Sequence, residues 1–154
     1  MGIAIRPVVI PDDLQGLQQC TEMDAESLIA FHENIANGSF MQPMLVWDGE
    51  QPLFEVDICQ AIFDDPGTCD PLGTDDYTLR FQFSPHAPMN VIHEGLYNCM
   101  EYVFLQKKAS RILIVVESGN KILLDWVKDA DFAKALGLVA DPKYPLFIFT
   151  KGTK

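Results

Sequence analysis

The chain has 154 residues, 48% of them hydrophobic, and 22 acidic side chains against 11 basic ones give a formal charge of −11. That length fits a single domain whose folding buries about 70% of the surface the unfolded chain exposes. The acidic balance argues against nucleic acid and anionic membranes as partners, because both are held by clustered Lys and Arg, and it is compatible with a cationic or amine-bearing one.

No apolar run approaches the ~20 residues that cross a bilayer, and the first residues lack the basic and apolar regions of a signal peptide. The expectation is a cytoplasmic protein. Cys20, Cys59, Cys69 and Cys99 show no CxxC or His-paired spacing, which predicts reduced thiols and no metal site. Nothing in the pattern speaks to a homo-oligomer.

Ile3-Ala4-Ile5-Arg6-Pro7-Val8-Val9 alternates and carries a proline, predicting an edge strand or a strand end. Asp12 or Asp13 can cap a helix with Leu14, Leu17 and Cys20 at helical spacing. Thr21 to Asp24 restarts that signal for a second helix, with Ala25, Leu28, Ile29 and His32 on one face, and Asn37-Gly38 predicts its end. That turn also accounts for the glycosylation-type sequence Asn37-Gly38-Ser39.

Phe40 to Trp47 and Pro52 to Ala61 flank Asp48-Gly49-Glu50-Gln51, a hairpin signal because glycine supplies the positive φ of a tight turn. Phe63 to Asp76, rich in Pro, Gly and Asp, predicts a solvated loop. Tyr77 to Phe83 alternates as a strand and passes through Ser84-Pro85-His86-Ala87-Pro88-Met89 into a long amphipathic helix reaching Gln106. In that helix Asn90 is the expected cap, Ile92, Leu96, Cys99 or Met100 and Val103 form the apolar stripe, and Gly95 is expected to permit close packing on the sheet.

The run Ile112 to Val116 predicts a strand buried on both faces and parallel to the preceding one, as in a βαβ unit. A helix from Lys121 to Phe132 follows, with Ile122, Leu123, Trp126 and Val127 inward. Leu136 to Ala140 and Pro145 to Thr150 predict a closing hairpin. No repeat or linker signals a second domain.

The resulting order β, α, α, β, β, β, α, β, α, β, β resembles that of the GCN5-related N-acetyltransferase (GNAT) superfamily. Pro85 and Leu96 stand where that family has a proline before, and a leucine after, its Gln/Arg-x-x-Gly-x-Gly/Ala loop, whose motif positions here are Pro88, Val91 and His93. Downstream, Asn120 and Phe132 hold the family spacing, Val127 replaces the tyrosine that acts as general acid in many members, and Asp131 replaces a glycine. Trp47 and Glu55 are similar to the Trp and acidic residue that the siderophore-type branch pairs on adjacent strands, although no histidine precedes the loop between Tyr77 and Phe83.

The resemblance implies an α/β fold with a mixed, mostly antiparallel sheet, a central parallel strand pair and helices on both faces. It also implies acyl transfer from acetyl-CoA or another acyl-CoA to a small amine. Cofactor contacts would fall to Phe83, Ser84, Met89, Asn90, Val91, His93 and Asn120, and the substrate pocket to Trp47 and Phe81. Glu55 and Glu117 are the candidate bases for freeing the amine.

Against the family pattern, the loop Pro85 to Val91 contains no glycine. Glycines let a backbone approach phosphate oxygens and adopt positive φ, whereas Val91 is β-branched and Pro88 donates no N–H. Lys107, Lys108, Arg111 and Lys121 are the basic side chains near the central helix. Three readings stay open: an acyl-CoA-dependent N-acyltransferase with a degenerate cofactor loop, a non-catalytic module of the same fold that binds a small molecule or protein, and an unrelated structural α/β domain.

Overall fold

The computed structural model describes residues 2–36, 41–64, 72–116, 120–130, 133–134 and 146–150. In chain order the elements are β1 (Ile3–Pro7), α1 (Leu14–Cys20), α2 (Ala25–Ala36), β2 (Met41–Asp48), β3 (Gln51–Gln60), α3 (Ala61–Asp64), β4 (Asp76–Phe83), α4 (Met89–Gln106), β5 (Arg111–Val115), α5 (Lys121–Asp129), β6 (Ala133–Lys134) and β7 (Leu146–Thr150). The strand order is β1-β2-β3-β4-β5-β7-β6. The chain divides into two compact units, Met1–Ile58 with Phe81–Cys99, and Cys59–Arg80 with Met100–Lys154.

In the first unit β1 is the edge strand its proline predicts, antiparallel to β2 from Ile3↔Asp48 to Pro7↔Met44. β2 and β3 are joined by Gly49-Glu50, and Gly49 has the positive φ of 61° that the Asp-Gly signal requires. Asp13 stands at the N-cap of α1, and Asp24 Oδ1 accepts from the Ser27 N–H (2.8 Å) at the start of α2.

Neighbouring residues of β2 point to opposite faces. Leu45 packs with Leu17 and Cys20 of α1 and Leu28 of α2, with Trp47 against that cluster. Val46, on the other face, meets α4 at Gly95, where an added Cβ would lie 3.0 Å from Phe54, 3.1 Å from Leu53 and 3.3 Å from Val46. Helices therefore cover both faces, and Gly95 is the point of close approach.

In the second unit β4 and β5 form the expected parallel pair, in register from Asp76↔Arg111 to Thr78↔Leu113. β7 runs antiparallel to β5 over five residue pairs and separates it from β6, which pairs Ala133↔Ile148 and Lys134↔Phe147. The chain's last described strand is thus inserted beside β5. The predicted strand Leu136 to Ala140 lies outside the described residues, as do Asn37-Gly38 and Phe132.

Arg111 forms a fork on Asp76, Nε to Oδ1 at 3.0 Å and Nη2 to Oδ2 at 2.6 Å, while the Gly73 N–H donates to the same Oδ2 at 2.8 Å. Ile112, Leu113 and Ile114 are fully buried, but Val115 is 36% exposed, so the expectation of a strand buried throughout fails at its last residue. Trp126, Leu123 and Val127 form the buried face of α5 as predicted, while Ile122, expected inward with them, is only half-buried. The one-turn helix α3 opens the stretch expected to be loop, and Phe63 on it is exposed, as a solvated connection requires.

Candidate functional site

Glu55 lies in Leu53-Phe54-Glu55-Val56 of β3, where all four side chains are buried, Glu55 with 4% of its surface exposed. Its Oε2 stands 3.6 Å from Nε2 of His32, itself buried on α2. Neither atom has a hydrogen-bond partner among the described residues. The separation is just too long for a hydrogen bond and too short to admit a water between them.

Burial first, and the Asp57 carboxylate second, push the Glu55 carboxyl up from 4.5 to about 8. Burial lowers His32. Both shifts favour the uncharged forms, a carboxylic acid on Glu55 and a neutral imidazole on His32. Cys20, the last residue of α1, packs beside Glu55; burial and the Glu55 charge push its thiol up to about 12, opposed by a hydrogen bond from the Glu55 backbone. A thiol held at that value is a packing group and not a nucleophile.

The cluster sits between two clefts of the same unit. Cys20 is on the wall of a cleft of about 790 Å³ with Gln18, Glu22, Gln82, Phe83 and His86. His32 is on the wall of one of about 440 Å³ with Val8, Ile10, Glu33, Ile35 and Gln42. No lysine or arginine lines either among the described residues. Groups of three or more His, Cys, Asp or Glu able to hold a metal are absent among the described residues.

The loop between β4 and α4 turns its donors inward. The buried Ser84 gives its N–H to the Leu53 carbonyl (2.9 Å), and its own Oγ and carbonyl accept from the N–H groups of His86 (3.3 Å) and Ala87 (3.4 Å). The Pro88 carbonyl accepts from Val91 (3.1 Å) and Ile92 (3.0 Å). The helix starts at Met89, so Asn90 lies in the first turn and not at the cap where it was expected. The reason is Pro88, whose carbonyl already accepts the i+4 bond from the Ile92 N–H and so starts the helix ahead of Asn90.

No residue of this loop has positive φ; among the described residues only Gly49 and Lys108 do. An anion-binding nest needs such a residue to aim successive N–H groups at one point. Here only the Met89 and Asn90 N–H groups at the helix start are without a partner among the described residues. The loop therefore does not fit the pyrophosphate of an acyl-CoA in the manner of the family's glycine-rich turn.

The other predicted site residues disperse. Phe83 lines the larger cleft, and with Phe81 and Phe54 it forms an aromatic cluster with centroids 5.5–5.7 Å apart. Trp47 packs under α1, its ring 2.8 Å from where a Cβ on Gly16 would stand, with the Arg6 guanidinium 4.9 Å from the ring centre. It belongs to that core cluster. Met89 is exposed, and His93 is half-buried with its Nε2 unpartnered among the described residues.

Asn120 caps α5, its side-chain oxygen accepting from the Leu123 N–H at 3.2 Å. Glu117 lies outside the described residues. Of the basic candidates, Arg111 is engaged by Asp76 and Lys121 is exposed. What the sequence left unassigned is His32 and Cys20 as the neighbours of Glu55. The available signal was a histidine on the apolar stripe of α2.

No protein-family profile matches the chain, and no curated protein sequence does. Solved structures match nearly all of it. An uncharacterized protein from Bacillus halodurans gives a TM-score of 0.81 at 14% identity, covering 97% of this chain and 84% of that one. The N-acetyltransferase PseH of Campylobacter jejuni in complex with acetyl coenzyme A gives 0.73 at 14% identity over 97% and 99% of the two chains. The spermidine/spermine N-acetyltransferase SpeG of Vibrio cholerae gives 0.71 at 10% identity over 97% and 95%. At these identities the common property is the fold, and the fold of this chain is that of the GNAT acetyltransferases.

Proposed function

We propose that the protein is an N-acyltransferase for a small amine, with Glu55 as the base that frees the amine, directly or through one water. The observation that carries this reading is the Glu55 carboxyl itself, buried on β3 and 3.6 Å from the buried His32, where burial pushes it up to about 8. A base of that strength takes a proton from an ammonium group near neutral pH far more readily than an ordinary carboxylate, and it still releases the proton within the same range. The net charge of −11 and a large cleft whose described wall carries Glu22 and no cationic side chain support a cationic acceptor.

The acyl donor of this reading is a thioester of the acetyl-CoA kind, as in the neighbouring structure that holds acetyl coenzyme A. Because the Ser84–Val91 loop does not fit the pyrophosphate, the donor's nucleotide half contributes little to its binding here. Acetyl-CoA and S-acetylpantetheine are then expected to bind within about threefold of each other, since phosphate contacts at a helix N-terminus are what would separate them.

The inward-turned loop favours a second reading, a non-catalytic module that retains the cleft for a small molecule or a protein partner. Calorimetry with acetyl-CoA and acetylpantetheine, followed by thiol release with a panel of polyamines and amino sugars, separates the two. Under the enzyme reading, turnover falls about 100-fold in Glu55→Gln, the usual scale for loss of a general base. Absence of both thioester binding and turnover at millimolar concentrations leaves the module.

A further inference from the structure

A buried base has a difficulty that an exposed one does not: it must exchange its proton with water it does not touch. Burial favours the acid form of Glu55, and its carboxyl lies on the wall of neither cleft, with Cys20, a thiol that does not ionise in this range, beside it on the wall of the larger one. The groups facing it are few. Cys20 comes from α1, Asp57 from the same strand, and His32 from α2, with Glu33 next to His32 on the wall of the smaller cleft.

Of these Cys20 and His32 both face the carboxyl and reach a cleft, and only His32 can pass a proton on, because the Cys20 thiol does not ionise in this range. The His32 Nε2 is 3.6 Å from Glu55 Oε2 and fully buried, while the residue lines the 440 Å³ cavity. Two buried polar atoms without partners at this separation are costly while they stay unpaired, so a small approach that closes a hydrogen bond between them is favoured.

We propose that His32 is the outlet through which Glu55 exchanges its proton with solvent in the smaller cleft. The inference rests on the reading of Glu55 as a base. In the resting state the carboxylic acid donates to the Nε2 lone pair of an imidazole whose proton is on Nδ1. The acid proton moves to Nε2, and the Nδ1 proton leaves to water in the cleft, beside the Glu33 carboxylate. This leaves a Glu55 carboxylate accepting from Nε2–H, charged and ready. The carboxylate then takes one proton from the ammonium of the substrate, giving a neutral amine and the carboxylic acid again. Swinging of the ring into the smaller cleft lets Nε2 give its proton to water and Nδ1 take one, and the ring returns as the Nδ1–H tautomer, which closes the cycle. His32 itself stays neutral in the relay, which is why a histidine kept neutral by burial suits the position. His32 touches Glu55 and not the substrate, so it is a positioning residue.

The test follows the ring tautomer in the whole protein labelled with 15N-histidine and 13C-glutamate. The expected result is a neutral His32 that changes from the Nδ1–H to the Nε2–H tautomer at the same midpoint as the Glu55 carboxyl titrates, with the change abolished in Glu55→Gln. A tautomer constant across the Glu55 titration, or one that switches equally in Glu55→Gln, overturns the outlet. As a second readout, thiol release from acetyl-CoA with an amine that turns over is expected to fall about tenfold at pH 7 in His32→Gln, and to recover with added imidazole. An unchanged rate, or a loss that imidazole does not touch, overturns it as well. Turnover unaffected by Glu55→Gln sinks the base reading and not the outlet, which the tautomer data decide on their own.

Discussion

Replacing Glu55 by glutamine removes a titration without changing shape, and its consequence for stability can be worked from the structure. The unfolded chain ionises this carboxyl at 4.5, the folded one at about 8. Between those values the folded state binds a proton that the unfolded state has released. The contribution of protonated Glu55 is fully present below 4.5, declines through the window and is lost above about 8. With one pKa unit equal to about 1.4 kcal/mol, the wild type is roughly 2–3 kcal/mol less stable at pH 9 than at pH 6 on this account.

Glu55→Gln lacks that loss. Urea unfolding followed by tryptophan fluorescence at pH 6, 7.5 and 9 reads the difference between the two proteins, in which the titrations of all other groups largely cancel. The expected result is a gap between the two proteins that changes by roughly 2–3 kcal/mol across the range, the variant gaining on the wild type as pH rises. Parallel curves would mean that Glu55 is solvated and ionised in the folded protein, and both the base and its proton outlet would fall with that result.

Gly95→Val places two methyl groups where a single Cβ already stands within 3.3 Å of Phe54, Leu53 and Val46, so unfolding free energy is expected to drop by about 2 kcal/mol or more despite the better helix propensity. Asp76→Asn weakens the fork from Arg111, which holds the Asp76 carboxyl below its ordinary value mainly through that hydrogen bond. That contribution is present above 3.8 and is lost as pH falls through the depressed folded value. The variant should be about 1–3 kcal/mol less stable at pH 7, with the deficit shrinking as the pH is lowered below 4, measured by denaturant titration. Pro88→Gln combined with Val91→Gly restores donors and backbone freedom at the helix start; it is expected to tighten acetyl-CoA about tenfold in calorimetry and leave acetylpantetheine unchanged.

Much of the fold was legible because local chemistry and long-range packing agree. Asp48-Gly49 demanded a positive φ and has it; Gly95 marked a close approach and makes it; the Ile112 run announced a buried parallel strand. The exceptions are positions where a neighbour in space decides. Asn90 has the chemistry of a cap, but Pro88 starts the helix earlier, and Val115 has the chemistry of a core residue but is the exposed end of its strand.

The site was half legible for the same reason. Glu55 is flanked by Leu53, Phe54 and Val56 in a strand without alternation, which is the pattern of a strand buried on both faces, so its carboxyl had to be either paired or protonated. Its partner cannot be local, because the neighbouring acid Asp57 repels it. A helix crossing that strand offers only its apolar stripe, and on α2 the stripe Ala25, Leu28, Ile29, His32 contains one polar side chain. The two exceptions to apolarity, one on a strand and one on a helix, are brought together, because a pair of buried polar groups costs less than two that lie apart. That argument needs only the sequence and the cost of an unpaired buried group, and it leads to the 3.6 Å pair on which the proposed chemistry depends.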